Sequence, residues 1–108
     1  MPQESDWKKF RDLVPVLRER YIAERNVKYR RALEDPKKTE TERFWSVFES
    51  MEVEARILRN CLDGHSRSKM WMYLAEMRQV RMLKKEDLVG FSAELQEQIF
   101  YERPSAAK

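Results

Sequence analysis

Cysteine and glycine are scarce in this sequence of 108 residues, which has one cysteine, at position 61, and two glycines. A single cysteine excludes an internal disulfide framework and is typical of a protein in a reducing compartment. Prolines are also few, at four, while 38% of the residues are charged and 42% are hydrophobic. This mixture is typical of an amphipathic helical protein rather than a disordered or disulfide-rich one.

Long apolar runs are missing as well. The longest, "LVPVL" and "MWMYLA", are far shorter than the roughly 20 residues that a membrane-spanning helix needs. The opening "MPQESDWKKF" has no apolar segment of the kind found in secretory signals. We therefore expect a soluble, cytoplasmic protein. The net charge of +3 is too small to imply nucleic acid binding by itself.

Apolar residues recur with helical spacing over the first third of the chain. The steps of three and four residues run through Trp7, Phe10, Val14, Leu17 and Tyr21. Pro15 interrupts them, because it lacks an N–H donor and disfavours helical geometry in the residue before it. The sequence thus predicts a short helix over 6–14 and a long one over 16–34, with Pro15 in its first turn.

The most regular stripe lies in the second predicted long helix, over 41–62. Thr39 and Glu42 have the spacing of a capping box at its start. The stripe itself predicts a buried face made of Phe44, Phe48, Met51, Ala55, Leu58 and Leu62.

Two shorter helices are predicted after it, over 67–81 and 85–101. The last should bury Leu88, Phe91, Leu95 and Ile99, with Gly90 inside the helix at a close approach to a neighbour. With short connections, these elements predict an all-α, up-and-down antiparallel helical bundle of two long helices and a shorter helical hairpin, preceded by the short helix before Pro15. We expect one domain over 1–108, with an ordered core at about 6–102.

The stretch "CLDGHSRSKM", residues 61–70, contains several residue types that can take part in catalysis or ligand binding. One interpretation is that this stretch only connects two helices. Gly64 would then adopt the left-handed conformation after the first helix, and Ser66 would cap the second. Catalysis by Cys61 with His65 is disfavoured, because Gly64 ends the helix between them. A structural zinc site needs four ligands, and the chain has no second cysteine or histidine, so we predict no metal or cofactor.

An anion site is the alternative for the same stretch. Residues 65–85 carry six basic side chains against Glu76 alone, and two of them, Arg67 and Lys69, stand where a helix start disfavours cations. The predicted anion-binding residues are His65, Ser66, Arg67, Ser68 and Lys69. The opposing interpretation is that acids of the long helix, or Asp63, neutralise the two cations.

For function, the sequence favours a non-enzymatic protein–protein interaction module that binds a protein partner, a copy of itself as a homodimer, or both. The reason is a length mismatch: the stripe over 41–62 is longer than the two helices that follow it, so either the helix over 6–14 or a partner has to cover the remainder. The competing class is a small regulator that binds nucleic acid or a phosphorylated ligand through the basic segment 65–85. An enzyme is disfavoured, since no paired acid–base groups are evident.

Overall fold

The structure is a computed structural model that describes residues 3–101. Over these residues the protein is all-α, with no strand. Its elements are α1 (Glu4–Leu33), α2 (Glu40–Leu62), α3 (Met70–Gln79) and α4 (Ala93–Ile99), with 3₁₀ helices at Arg67–Lys69 and Lys85–Leu88. The all-α prediction is confirmed, and the up-and-down antiparallel arrangement stays a prediction. No helix in the described part is both long and apolar enough to span a membrane.

The chain divides into two compact units. The first, called the split unit below, combines Met1–Leu13 with His65–Lys108, and the second, the hairpin unit, is Val14–Gly64. Buried side chains of the split unit include Phe10, Met70, Leu74, Leu88 and Leu95, and those of the hairpin unit include Leu17, Tyr21, Val47, Cys61 and Leu62. The single domain predicted over 1–108 stays a prediction, and its limit at 102 lies outside the described residues.

The separation into helices 6–14 and 16–34 is wrong, because α1 continues through Pro15. Proline removes one intrahelical hydrogen bond, which leaves the carbonyl of Arg11 without its usual donor. Both Arg11 and Pro15 are exposed, so water can take the place of the missing N–H. The acidic Glu4 and Asp6 in the first turn and the basic Arg30 and Arg31 in the last turn complement the helix dipole and support the full length.

The start of α2 is as predicted. The Thr39 hydroxyl accepts a hydrogen bond from the backbone nitrogen of Glu42 at 3.1 Å, and the Glu42 carboxylate accepts one from the Thr39 nitrogen at 2.8 Å. This reciprocal capping box satisfies two N–H groups that a helix start leaves unpaired. At the other end Gly64 has φ of +71°, as predicted for the residue that terminates the helix.

The continuous helix predicted over 85–101 is wrong. The chain forms the 3₁₀ helix Lys85–Leu88, leaves helical geometry, and starts α4 only after Ser92. Gly90 has φ of +95°, a conformation that glycine adopts without steric cost and that no α-helix contains. The predicted burial is nevertheless confirmed, since Leu88, Phe91, Leu95 and Ile99 are all buried.

The helix predicted over 67–81 is shorter and begins irregularly. Its first turn is the 3₁₀ helix Arg67–Lys69, and α3 ends at Gln79. Arg81 has φ of +65°, and the Met82 nitrogen donates to the Met77 carbonyl at 2.8 Å. This long-reach bond closes the helix end as in a Schellman motif, with arginine in place of the usual glycine.

Candidate functional site

The hairpin unit pairs the second part of α1 with α2 through a small polar contact. Tyr21 Oη donates to Glu54 Oε1 at 2.6 Å, and Arg25 Nη1 lies 3.8 Å from Glu54 Oε2. The Arg25 guanidinium also lies over the Tyr21 ring, 4.6 Å from its centroid. Near the turn, Arg43 Nε donates to the Asp35 carbonyl at 2.8 Å. Tyr21 thus contacts a residue late in α2, whereas Asp35, which comes later in the chain than Tyr21, contacts a residue near the start of α2. The two helices are therefore antiparallel.

Burial, together with Glu54, raises the pKa of two tyrosines of α1. Burial, the hydrogen bond to Glu54 and the negative charge of that carboxylate all raise the pKa of Tyr21. Burial and the charge of Glu54 likewise raise the pKa of Tyr29. Because ordinary phenols already ionise only near pH 10, both side chains are uncharged at neutral pH.

A groove of about 190 Å³ lies between the two helices of the hairpin unit. Its lining is mostly apolar and consists of Ile22, Arg25, Asn26, Tyr29, Met51, Glu54, Ala55 and Leu58. Tyr29 Oη and Arg25 Nε are buried without a hydrogen-bond partner among the described residues. A buried polar atom costs stability unless water or a ligand supplies its hydrogen bond.

Next to this groove, α2 exposes a set of large apolar side chains that we call the aromatic patch: Phe44, Trp45, Phe48 and Met51. Their exposed fractions are 56%, 52%, 43% and 45%. The three rings contact one another, with centroids 5.0 Å apart for Phe44 and Trp45 and 5.7 Å apart for Trp45 and Phe48. Contiguous apolar patches on a folded surface are characteristic of interaction sites.

The predicted burial of the stripe is therefore wrong for its first half. Leu62 is buried, and Ala55 and Leu58 are half-buried, but the patch residues are exposed. Besides Leu62, the fold covers a set of α2 residues that recur at intervals of seven: Val47 and Cys61 are buried, and Glu54 between them contacts α1. This face lies roughly a quarter of a turn from the stripe, given about 3.6 residues per turn. The stripe has the same seven-residue spacing, in Phe44, Met51 and Leu58, so the local sequence holds no signal that distinguishes the covered face from the open one.

The predicted anion-binding residues lie in the split unit, and they already have contacts there. His65 is half-buried between two rings, 4.8 Å from the Phe10 centroid and 4.5 Å from that of Tyr73. Arg67 Nη2 forms an ion pair with Glu4 Oε2 at 2.9 Å and lies over the Trp7 ring. Arg67 thus has an acidic partner, which is neither Asp63 nor an acid of α2.

The other predicted members are on the surface. Ser66 occupies the N-cap position, but its side chain makes no capping hydrogen bond, and its Oγ lies 3.5 Å from that of Ser68. Ser68 and Lys69 are exposed. The 3₁₀ turn Arg67–Lys69 that starts here continues directly into α3. The anion site stays a prediction.

Among the described residues no group of three or more His, Cys, Asp or Glu side chains is placed to hold a metal ion. Comparison of the chain with protein-family models, curated proteins and solved structures finds no match. Among the described residues, the aromatic patch combines four exposed large apolar side chains with mutual ring contacts.

Proposed function

We propose that this chain is a non-enzymatic protein–protein interaction module that binds through the aromatic patch of α2 and associates with itself as a homodimer. The observation that carries the proposal is the exposure of Phe44, Trp45, Phe48 and Met51 on one stretch of helix. Fully burying a side chain of this size stabilises a complex by about 1.5–3 kcal/mol. The half-exposed patch therefore has several kcal/mol to gain from a partner.

The kinds of residue in the patch support a protein as the partner. Aromatic residues and methionine are enriched in protein interfaces, and tryptophan is among the commonest residues with a large energetic contribution. The stacking of Phe44 on Phe48, with nearly parallel rings 6.4 Å apart, restricts their motion before binding. Less conformational entropy is then lost when a partner covers them.

The location we propose is the cytoplasm. The single cysteine, Cys61, is buried in the hairpin unit, and a protein without a disulfide framework suits a reducing compartment.

The test is the molar mass in solution of the chain and of two matched variants. The chain should sediment as a dimer at about 10 micromolar, as expected for a Kd near 1 micromolar or below. Phe48→Glu should be monomeric at the same concentration, because a carboxylate in the patch would have to be desolvated on pairing.

Val53→Glu is the control, since Val53 lies on the opposite face of α2 with a similar exposed fraction of 48%. This variant should remain dimeric. A chain that stays monomeric up to about 100 micromolar, or a Phe48→Glu variant that dimerises as the parent does, would contradict the proposal.

A further inference from the structure

We propose that a cleft in the split unit binds a phosphate monoester of a small molecule through Arg78 and Arg81. The cleft lies where the ends of α3 and α4 meet and has a volume of about 450 Å³, which is in the range of small-molecule sites in proteins. The inference is independent of the proposed function, because no residue of α2 lines the cleft. The lining consists of Ala75, Arg78, Gln79, Arg81, Gln98 and Ile99.

The charges of the lining favour a doubly charged anion. The lining has two arginines and no acid, and neither Arg78 nor Arg81 forms an ion pair with a described residue. Two acids of α4, Glu94 and Glu97, line another depression, which shares only Gln98 with the cleft. A phosphate monoester has a charge near −2 at neutral pH, which the two guanidinium groups balance. A carboxylate or a phosphate diester would balance only one of them.

Two contacts hold the Arg78 guanidinium in place before any ligand binds. Its Nη1 donates to the Ile99 carbonyl at 2.7 Å, and the group lies over the Phe100 ring, 4.9 Å from the centroid. A guanidinium has five N–H donors in one plane, and Ile99 takes one of them. The others keep a fixed orientation, which suits the bidentate binding of phosphate oxygens.

The backbone of Arg81 indicates a role for its side chain. This residue has φ of +65° and follows the end of α3, where its nitrogen donates to the Arg78 carbonyl at 3.0 Å. Glycine is the usual residue at such a position, because it adopts a left-handed conformation without strain. Strained backbone of this kind is concentrated at functional sites, and a guanidinium needed in the cleft accounts for an arginine in place of glycine.

Gln79 and Gln98 suit the uncharged part of such a ligand. Both side chains are exposed and line the cleft. An amide group donates to phosphate oxygens and also accepts hydrogen bonds from hydroxyl groups. The cleft therefore fits a small phosphate monoester with hydroxyl groups.

The test is isothermal titration with glycerol phosphate at constant ionic strength, for which we expect a Kd of roughly 1 millimolar or below. Arg81→Gly should weaken binding roughly tenfold or more, because it removes a charge-assisted contact. The same variant should be at least as stable as the parent in urea, since glycine relieves the left-handed strain. Loss of binding by a variant of undiminished stability excludes misfolding as its cause.

The control is the double variant Arg67→Ala, Lys69→Ala. Neither residue lines the cleft, so this variant should bind glycerol phosphate as the parent does. It also separates the cleft from the anion-binding residues predicted at 65–69. Arg78 is not replaced, because its loss would also remove the hydrogen bond to Ile99.

Dimethyl phosphate and acetate, each with one negative charge, should bind roughly tenfold more weakly than the monoester or worse. Equal affinity for either of them would overturn the assignment of a monoester. Binding that Arg81→Gly retains, or that only the double variant loses, would overturn the cleft as the site. The absence of binding up to about 50 millimolar would overturn the inference and leave the interaction module standing.

Discussion

The carboxylate of Asp6 accepts two hydrogen bonds from Ser92, at 2.9 Å from the backbone nitrogen and 2.6 Å from the hydroxyl. Asp6 is buried, with 2% of its surface exposed. Ser92 is also the N-cap of α4, where its Oγ accepts from the Leu95 nitrogen at 3.3 Å. One side chain of α1 therefore fixes the residue at which α4 begins.

Replacing Asp6 with alanine should lower the free energy of unfolding by about 1.5–3 kcal/mol, the usual contribution of hydrogen bonds to a charged group. Asp12→Ala is the matched control, because Asp12 is an exposed aspartate of the same helix, and it should change stability by no more than about 0.5 kcal/mol. Urea unfolding monitored by circular dichroism measures both. Equal stabilities of the two variants would show that the Asp6–Ser92 contact contributes nothing.

The effect of Gly90→Ala on stability depends on the backbone conformation at this position: the substitution destabilises a left-handed residue and stabilises a helical one. With φ of +95° at this position, an added Cβ should cost about 1–2 kcal/mol of stability. If a helix ran continuously through 85–101, the same change would instead stabilise the protein by about 1 kcal/mol. The neighbouring Val89, which is 78% exposed, provides the control variant Val89→Ala, for which we expect little change in the urea midpoint.

The raised pKa of Tyr21 predicts that the free energy of unfolding decreases at alkaline pH. Its pKa is raised above the ordinary value of 10.0 by burial and by Glu54, so the folded protein retains the phenolic proton when the unfolded chain has lost it. The stabilisation that this contact provides is complete below pH 10 and declines as the pH rises through and beyond that value.

Spectrophotometric titration should show a late step to which Tyr21 and Tyr29 both contribute, because both pKa values are raised, and Tyr21→Phe should make this step smaller. The same variant should flatten the fall in unfolding free energy above about pH 10. Tyr101→Phe is the control, because Tyr101 is 61% exposed. A late step that is as large in Tyr21→Phe as in the parent would contradict the prediction.

Arg67 and Lys69 should differ in their effects on stability. Arg67→Ala removes the ion pair with Glu4 and the contact with Trp7, and should cost about 0.5–1 kcal/mol at low salt, less at high salt. Lys69→Ala should be neutral, because Lys69 is exposed and forms no ion pair with a described residue.

Thermal unfolding in the presence of phosphate examines the same residues as an anion site. If the predicted residues bind an anion, phosphate should raise the unfolding temperature beyond chloride at equal ionic strength, and the double variant Arg67→Ala, Lys69→Ala should lose that response. Equal stability in phosphate and in chloride would contradict the anion site, and salt-dependent retention on heparin would favour the regulator of nucleic acid or phosphorylated ligands.

Local patterns in the sequence predicted local structure well. The Thr39–Glu42 capping box and the left-handed Gly64 were both readable, because the residues that decide them are at most three positions apart. The break at Gly90 was missed, since glycine is compatible with either a weakened helix or a turn, and the Asp6–Ser92 contact that fixes the start of α4 joins residues 86 positions apart.

The periodicity of α2 shows a different limit. A spacing of three and four residues identifies an apolar face but not what covers it. Phe44 and Phe48 have the same pattern in the sequence as Leu62, yet only Leu62 is buried. For the candidate site, the reactive and charged residue types of "CLDGHSRSKM" led to the prediction at 65–69. The site proposed from the structure is instead the part of the α2 stripe that stays exposed, and nothing in the residue types of that stripe distinguishes it from a buried face.

The division of the chain also has a consequence for the order of folding during synthesis. All residues of the hairpin unit, Val14–Gly64, emerge from the ribosome before the second part of the split unit begins at His65. The hairpin requires only the closure of its own short turn, which is fast. Asp6 emerges early, but its hydrogen bonds to Ser92 can form only after Ser92 has emerged. The contact that fixes the start of α4 therefore forms late. A ribosome-bound chain that ends at residue 80 and is followed by a linker long enough to fill the exit tunnel should thus protect the hairpin from proteolysis while the segment before it is still cleaved.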